Sequence, residues 1–236
     1  MRLNKFLSNS GVASRRKCDL LIKEGKVYVN GKLVTELGTF INEKKDKVTV
    51  DGERIILPSS FVYIKLNKPK GYACTAHDEK GRKTIYDLID TDERLFSIGR
   101  LDYDTEGLII LTNDGDFANK VSHPKFSIEK EYRVTIEGDI KESELAVIRK
   151  GVVIDGERLP TARVNFLSSE NGFTKLSVVI DEGQNRQIRR MFEAIGKSIR
   201  LLKRVRIGSV TLGRLRRGDY KDLTEDELNS LVGAKS

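Results

Sequence analysis

Apolar residues follow two different rhythms along this chain. In the first block, Leu3, Phe6 and Leu7 recur at helical spacing and predict a short helix. Asn9-Ser10-Gly11 ends it. Ser14 is suited to cap a second helix, which turns Cys18, Leu21 and Ile22 inward and stops at Gly25. The period then falls to two. Val27 and Val29 run into Asn30-Gly31, a dipeptide that favours a tight hairpin turn. Val48 and Val50 run into Asp51-Gly52 and repeat the signal. Pro58-Ser59-Ser60 punctuates the chain and sets a boundary between residues 1–58 and 61–236.

The second block mixes the two periods. Val62, Ile64 and Leu66 alternate as a strand, as do Tyr132, Val134 and Ile136, and Leu176, Val178 and Ile180. Ile109 to Leu111 is a continuous apolar run of buried-strand type, followed by a turn at Asn113 to Gly115. Lys141 to Ile148 has helical character. Ile188, Met191, Phe192 and Ile195 lie at helical spacing before Gly196. Strands grouped with a few helices, without regular strand–helix–strand units, predict an α+β domain around a mixed sheet. The tail from Asn229 to Ser236 is expected to fray.

Charge narrows the partner. The chain has 43 Lys and Arg against 35 Asp and Glu, a net charge of +8, which favours a polyanion. Two distant cysteines, Cys18 and Cys74, make neither a zinc site nor a disulfide framework and suit a reducing, cytoplasmic setting. The two histidines, His77 and His123, lack a ligand-spaced partner, so a histidine metal site or a Ser-His-Asp triad is not expected. No run approaches a membrane span, no signal peptide opens the chain, and no phosphate-cradling glycine motif points to a nucleotide cofactor. No cofactor and no metal are therefore expected, and nothing marks a self-complementary interface, so a monomer is the default.

In the first block, Arg15, Arg16 and Lys17 open the second helix, where cations and free amides attract phosphate. The alternative is a solvated charge run. The whole run RLNKFLSNSGVASRRKCDLLIKEGKVYVNGK resembles the S4 RNA-binding domain, through RLxKFL, the SR at the second helix and the GxVxVNGK hairpin. That resemblance implies that Arg2, Lys5, Arg15, Arg16, Lys17 and Lys32 lie near RNA.

Candidate chemistry sits before the apolar strand. Gly99, Arg100, Asp102, Asp104 and Glu106 share a loop, and three carboxylates so close must point apart or find partners. A paired-acid glycosidase, a divalent-metal loop or a set of turn caps would each suit such a loop. GRLDYDTEGLIILTNDG, with LNKPKGY before it and EKEYRV and EGQNRQIRRMFEAIG after it, resembles the RsuA/RluB family of pseudouridine synthases over essentially the whole chain. The resemblance implies a small S4 domain followed by a catalytic domain on a mixed, mainly antiparallel sheet with flanking helices.

It also implies roles. Asp102 matches the family's catalytic aspartate and Tyr132 its active-site tyrosine. The aspartate's basic partner falls in the RQIRR segment and is assigned to Arg189, with Arg186 as rival; an Asp102–Arg189 ion pair is expected. Ile188 supports the pocket, while Arg100 and Lys130 flank the motifs as substrate contacts. Lys203, Arg204 and Arg206 read as a stripe tracking phosphates, with a plain solvated face as the alternative. The implied reaction is isomerisation of a uridine in ribosomal RNA or an assembly intermediate. SRRK, HDEKGRK and EGQNRQIRRMFEAIG lean toward the large-subunit (23S) branch, which acts near the peptidyl transferase centre. Glu106 stands where that branch has Ser, so a 16S target stays open, as does a factor that binds rRNA without catalysis.

Overall fold

The computed structural model describes residues 1–76, 78–154 and 156–233. His77 and the last three residues of the tail lie outside the described residues. The chain divides into two compact units: 1–62 with 91–95 and 113–115, and 63–90 with 96–112 and 116–236.

In the first unit, helices α1 (Leu3–Asn9) and α2 (Arg15–Lys23) precede strands β1 (Val27–Val29), β2 (Lys32–Leu33), β3 (Val48–Val50) and β4 (Glu53–Ile55). The strands form an antiparallel sheet in the order β2-β1-β3-β4. Ser14 caps α2 by accepting the Lys17 N–H at 3.3 Å. Asn30 and Gly31 both take positive φ (51° and 76°), as a primed hairpin turn requires. Leu3, Phe6, Leu7, Cys18, Ile22, Val27, Val48 and Val50 form the core with Ile41.

Among the described residues, the second unit is built on a sheet of nine strands: β5 (Tyr63–Lys68), β6 (Phe96–Ile98), β7 (Glu106–Thr112), β8 (Lys130–Glu137), β11 (Arg163–Glu170), β12 (Phe173–Ile180), β13 (Ile199–Ile207), β14 (Val210–Thr211) and β15 (Tyr220–Asp222). A hairpin of β9 (Val153–Ile154) and β10 (Glu157–Arg158) stands apart. The helices are α3 (Gly115–Ser122), α4 (Glu142–Lys150), α5 (Gln187–Glu193) and α6 (Glu225–Val232). The sheet runs β11-β12-β8-β13-β7-β5-β15, with β14 on β13 and β6 on β7. Its one parallel pairing joins β13 to β7; the others are antiparallel. The fold is therefore α+β, on a mixed, mainly antiparallel sheet.

Strand β7 is buried at every position. Such a strand needs cover on both faces, which is why its sequence is an apolar run rather than an alternation. Three expectations shift here. Glu106 is not a loop residue but the first residue of β7, registered against Lys203 and only 4% exposed. The tail is ordered as α6 through Val232, because Leu231 packs into the core beside Val210 and Leu223. Arg204 and Arg206 belong to β13 in the interior of the sheet. No helix of the described residues is long and apolar enough to cross a membrane.

Candidate active site

A pocket of about 340 Å³ opens in the second unit, lined by the 99–105 loop, β8, β13 and the residues that lead into α5. Its size lies at the lower end of cavities that hold one small ligand. Gly99, at φ +71°, turns the chain out of β6 and into the loop. Asp102 lies on that loop and lines the pocket with its side chain one-third exposed.

The loop is clamped from beneath by Lys68, the last residue of β5. Its ammonium is fully buried and donates to the carbonyls of Pro69 (3.2 Å), Asp102 (3.0 Å) and Thr105 (2.7 Å). Burial pushes its pKa down from the usual lysine value. A lysine inside Asn-Lys-Pro carries no sign in the sequence that it will be buried. Its value lies in three carbonyls, two of them supplied by a segment far along the chain.

The expected Asp102–Arg189 pair is not formed. Arg189 is 8% exposed and donates instead to the Asp104 carboxylate and carbonyl, both at 3.1 Å. Arg186, the rival, reaches both carboxylates, at 4.0 Å from Asp102 and 3.5 Å from Asp104. The reason is local. Arg186 takes the left-handed conformation (φ 48°) immediately before α5, which frees its side chain to lean to the loop rim. Arg189, one turn inside the helix, meets the loop two residues further on. Three carboxylates were expected to need partners: Asp102 and Asp104 share this arginine pair, and Glu106 takes Arg217 at 3.5 Å.

Tyr132 on β8 is 7% exposed and lines the pocket beside Lys130. Directly across the ladder from it stands Arg204, 3% exposed. Its Nε donates to the Leu108 carbonyl at 2.7 Å and its Nη1 to the Tyr132 hydroxyl at 3.5 Å. Arg204 is thus a pocket residue and not part of a phosphate-tracking stripe. Arg206 is likewise unavailable for such a stripe, being paired with Glu131 (3.0 Å) and Glu129 (3.4 Å). Lys203 remains half-buried on β13.

Lys130 donates to the carbonyls of Ile128 and Asp181, both at 2.8 Å. Its pKa is lowered first by burial and then by the positive charge of Arg204. Ile188 (4% exposed) and the exposed Arg100 complete the lining among the anticipated residues. Thr105, Gln184 and Gln187 also line it and were not anticipated. In the first unit, Arg15, Arg16, Lys17 and Lys32 are exposed, and Arg2 is exposed with its guanidinium over Phe40 at 5.8 Å. Lys5 on α1 is half-buried.

The pocket therefore presents a carboxylate at its rim beside an arginine, and an aromatic hydroxyl with a buried arginine and a half-buried lysine. Such a set can steady positive charge at a sugar carbon and hold a planar, acceptor-rich ring.

Comparison with known proteins agrees with this chemistry. Residues 62–194 match the family model described as RNA pseudouridylate synthase, and residues 1–46 match the S4 domain. Ribosomal large subunit pseudouridine synthase B of Bacillus subtilis is 42% identical, over 98% of this chain and 95% of its own. An RNA pseudouridine synthase of Aquifex aeolicus is 41% identical, over 99% and 94%. A crystal structure of a pseudouridylate synthase superposes with a TM-score of 0.72 at 32% identity, covering 98% of this chain and all of the other. The chain, an S4 domain joined to a catalytic sheet that carries Asp102 over a one-ligand pocket, belongs to the RNA pseudouridylate synthase family.

Proposed function

We propose that the enzyme isomerises a uridine of large-subunit ribosomal RNA in the cytoplasm, acting as a monomer. The observation that carries the reading is the Asp102 carboxylate, set on a clamped loop at the mouth of a pocket lined by Tyr132, with Arg186 4.0 Å away. The relative from Bacillus subtilis is named for the large subunit, which favours 23S over 16S rRNA. Residues 1–58 hold RNA while residues 61–236 do the chemistry.

The reaction breaks N1–C1′, turns the uracil and joins C5 to C1′; the C5 hydrogen leaves as a proton and N1 gains one. The base must first leave its stack, which costs a few kcal/mol and least in irregular RNA. Tyr132 offers a stacking face for it. Asp102, with Arg186 4.0 Å away, meets the positive charge that grows at C1′, by attack or by electrostatic support. Arg189 and Asp104 brace the loop against α5. Arg100, Lys130, Arg186 and Ile188 contact the substrate.

Tritium release from transcripts labelled at uridine C5 tests the reading. Release from unmodified 23S and not 16S RNA is the expected result. Release from 16S alone moves the target to the small subunit, and release from neither RNA overturns the proposal.

Two further outcomes are expected. Lys68→Met removes the clamp under the loop, and a misplacement of the order of 1 Å costs about a hundredfold in rate. Its kcat should fall by about that factor with a smaller change in KM; an unchanged kcat would show that the loop holds without it. Replacing Arg15, Arg16 and Lys17 together by Ala should weaken RNA affinity about tenfold or more and lower the slope of log K against log salt by about 2 to 3. An unaltered slope removes these residues from the RNA surface.

A further inference from the structure

Most buried polar groups in a folded protein find a partner, so a buried donor without one, on a pocket wall, is open to an acceptor brought by water or by a ligand. Among the described residues, Arg204 Nη2 is such a group, and Gln187 Nε2 is another. Both residues line the pocket that Asp102 overlooks. Arg204 is also firmly fixed. Its Nε is committed to the Leu108 carbonyl and its Nη1 to the Tyr132 hydroxyl, so the plane of the fork is anchored and Nη2 is what remains for a ligand. Its charged neighbour in the pocket is the half-buried Lys130, whose own hydrogen bonds go to backbone carbonyls. A buried arginine beside a second cation, with a free donor, is costly unless an acceptor or an anion comes to it.

We infer that Arg204 reads the far edge of the target uracil and holds it through the turn of the base. This deepens the proposed function and rests on the reading that the pocket takes a flipped uridine. The geometry of the base decides which edge is read. With C1′ at the Asp102 rim, the ring enters along its N1–C4 line, so the edge that reaches the pocket's interior is C4=O4. Arg204 donates to O4. A cytidine would present an amino group there, donor against donor, and be rejected.

The same contact serves the product. Turning the detached ring by half a revolution about its N3–C6 axis exchanges N1 with C5 and O4 with O2. The donor that held O4 in uridine then holds O2 in pseudouridine. Between the two states the ring has left as an anion with its charge spread over O2 and O4, where a guanidinium is most useful. Arg204 is thereby a specificity-determining and a catalytic residue, anchored at a position where both carbonyls arrive in turn.

The test uses the full-length protein and an RNA probe. Wild type first maps the target uridine by tritium release from 23S transcript, and a second transcript carries cytidine at that position. Wild type, Arg204→Gln and Arg204→Lys are then compared for kcat and for the ratio of affinities for the two transcripts. Removing one hydrogen bond to a charged group costs roughly tenfold to a hundredfold. Arg204→Gln is expected to lose kcat on that scale and to bind uridine and cytidine transcripts about equally. Arg204→Lys keeps a cation between the strands, but its single ammonium turns to the Leu108 carbonyl, so discrimination falls there too. A purely structural role would lower stability or kcat and leave the uridine-to-cytidine ratio where it was. Wild-type discrimination in either folded variant therefore overturns the inference. If Arg204→Gln does not fold, Arg204→Lys decides. Absence of tritium release by wild type overturns the parent reading along with this one, whereas active wild type with unmoved variants overturns this one alone.

Discussion

Asp102→Asn should abolish measurable tritium release, lowering kcat by about four orders of magnitude or more, the scale on which loss of a group acting at the reacting atoms is felt. Asparagine keeps the shape and the backbone carbonyl that Lys68 and the Thr105 amide hold at 3.0 Å, so the loop stays in place. What disappears is the negative charge that the proposed function sets against C1′. RNA affinity should change by less than about threefold, because protein–nucleic acid contacts are dominated by the phosphate backbone. Asp104→Asn provides the contrast. Asp104 is the carboxylate that Arg189 grips at 3.1 Å, so its loss slackens the brace but removes nothing from the reacting carbon. Its kcat should fall about tenfold, in the range of lost positioning. Equal losses in the two variants would mean that the acid of this site had been misassigned. Activity above about a hundredth of wild type in Asp102→Asn would remove it from the reaction altogether.

How these residues meet is only partly legible in the sequence. The first unit is readable because its helices and hairpins are local: Leu3, Phe6 and Leu7 share a face, Ser14 caps, and Asn30-Gly31 and Asp51-Gly52 can turn in few other ways. Strand β7 is readable because burial on both faces leaves an apolar run. Strand β13 is not. In Leu-Leu-Lys-Arg-Val-Arg-Ile the arginines look like solvent-facing positions. Their pairing depends on Leu108, Tyr132, Glu129 and Glu131, which arrive from elsewhere in the chain. Helix α3 gives little signal because only Phe117 and Val121 of its eight residues are buried, too few to show a period. The expected Asp102–Arg189 ion pair is not formed for the same kind of reason. Helical spacing says that both can face one loop, whereas the curvature of that loop decides which carboxylate each meets. Lys68 has no signal at all, since its role is written in carbonyls and not in side chains.

Gly107→Ala is expected to be the most damaging single substitution in the sheet. Gly107 has φ +108°, and a Cβ there would lie 2.1 Å from the Arg204 carbonyl oxygen and 2.7 Å from its amide nitrogen. Both are backbone atoms of the neighbouring strand, so no side chain can swing away. Arg204 is paired with Gly107 in the sheet's one parallel contact, where β7 meets β13. Relief requires the two strands to part, which breaks the ladder between them and uncovers apolar residues on both. The loss should exceed about 4 kcal/mol, the range reserved for a few severe mechanisms. That is a large part of the roughly 5–15 kcal/mol that typically holds a domain together. Urea denaturation read by circular dichroism would show a midpoint shifted far down, or protein recovered only as aggregate. Gly138→Ala is the control. It shares a positive φ of 73°, but a Cβ there would meet nothing within 4 Å, so the strain of the backbone alone should cost about 1 kcal/mol. If the two variants unfold at the same midpoint, close approach at β7 and β13 is not what requires glycine. If they differ as expected, the close approach of β7 to β13 is what requires glycine at this position.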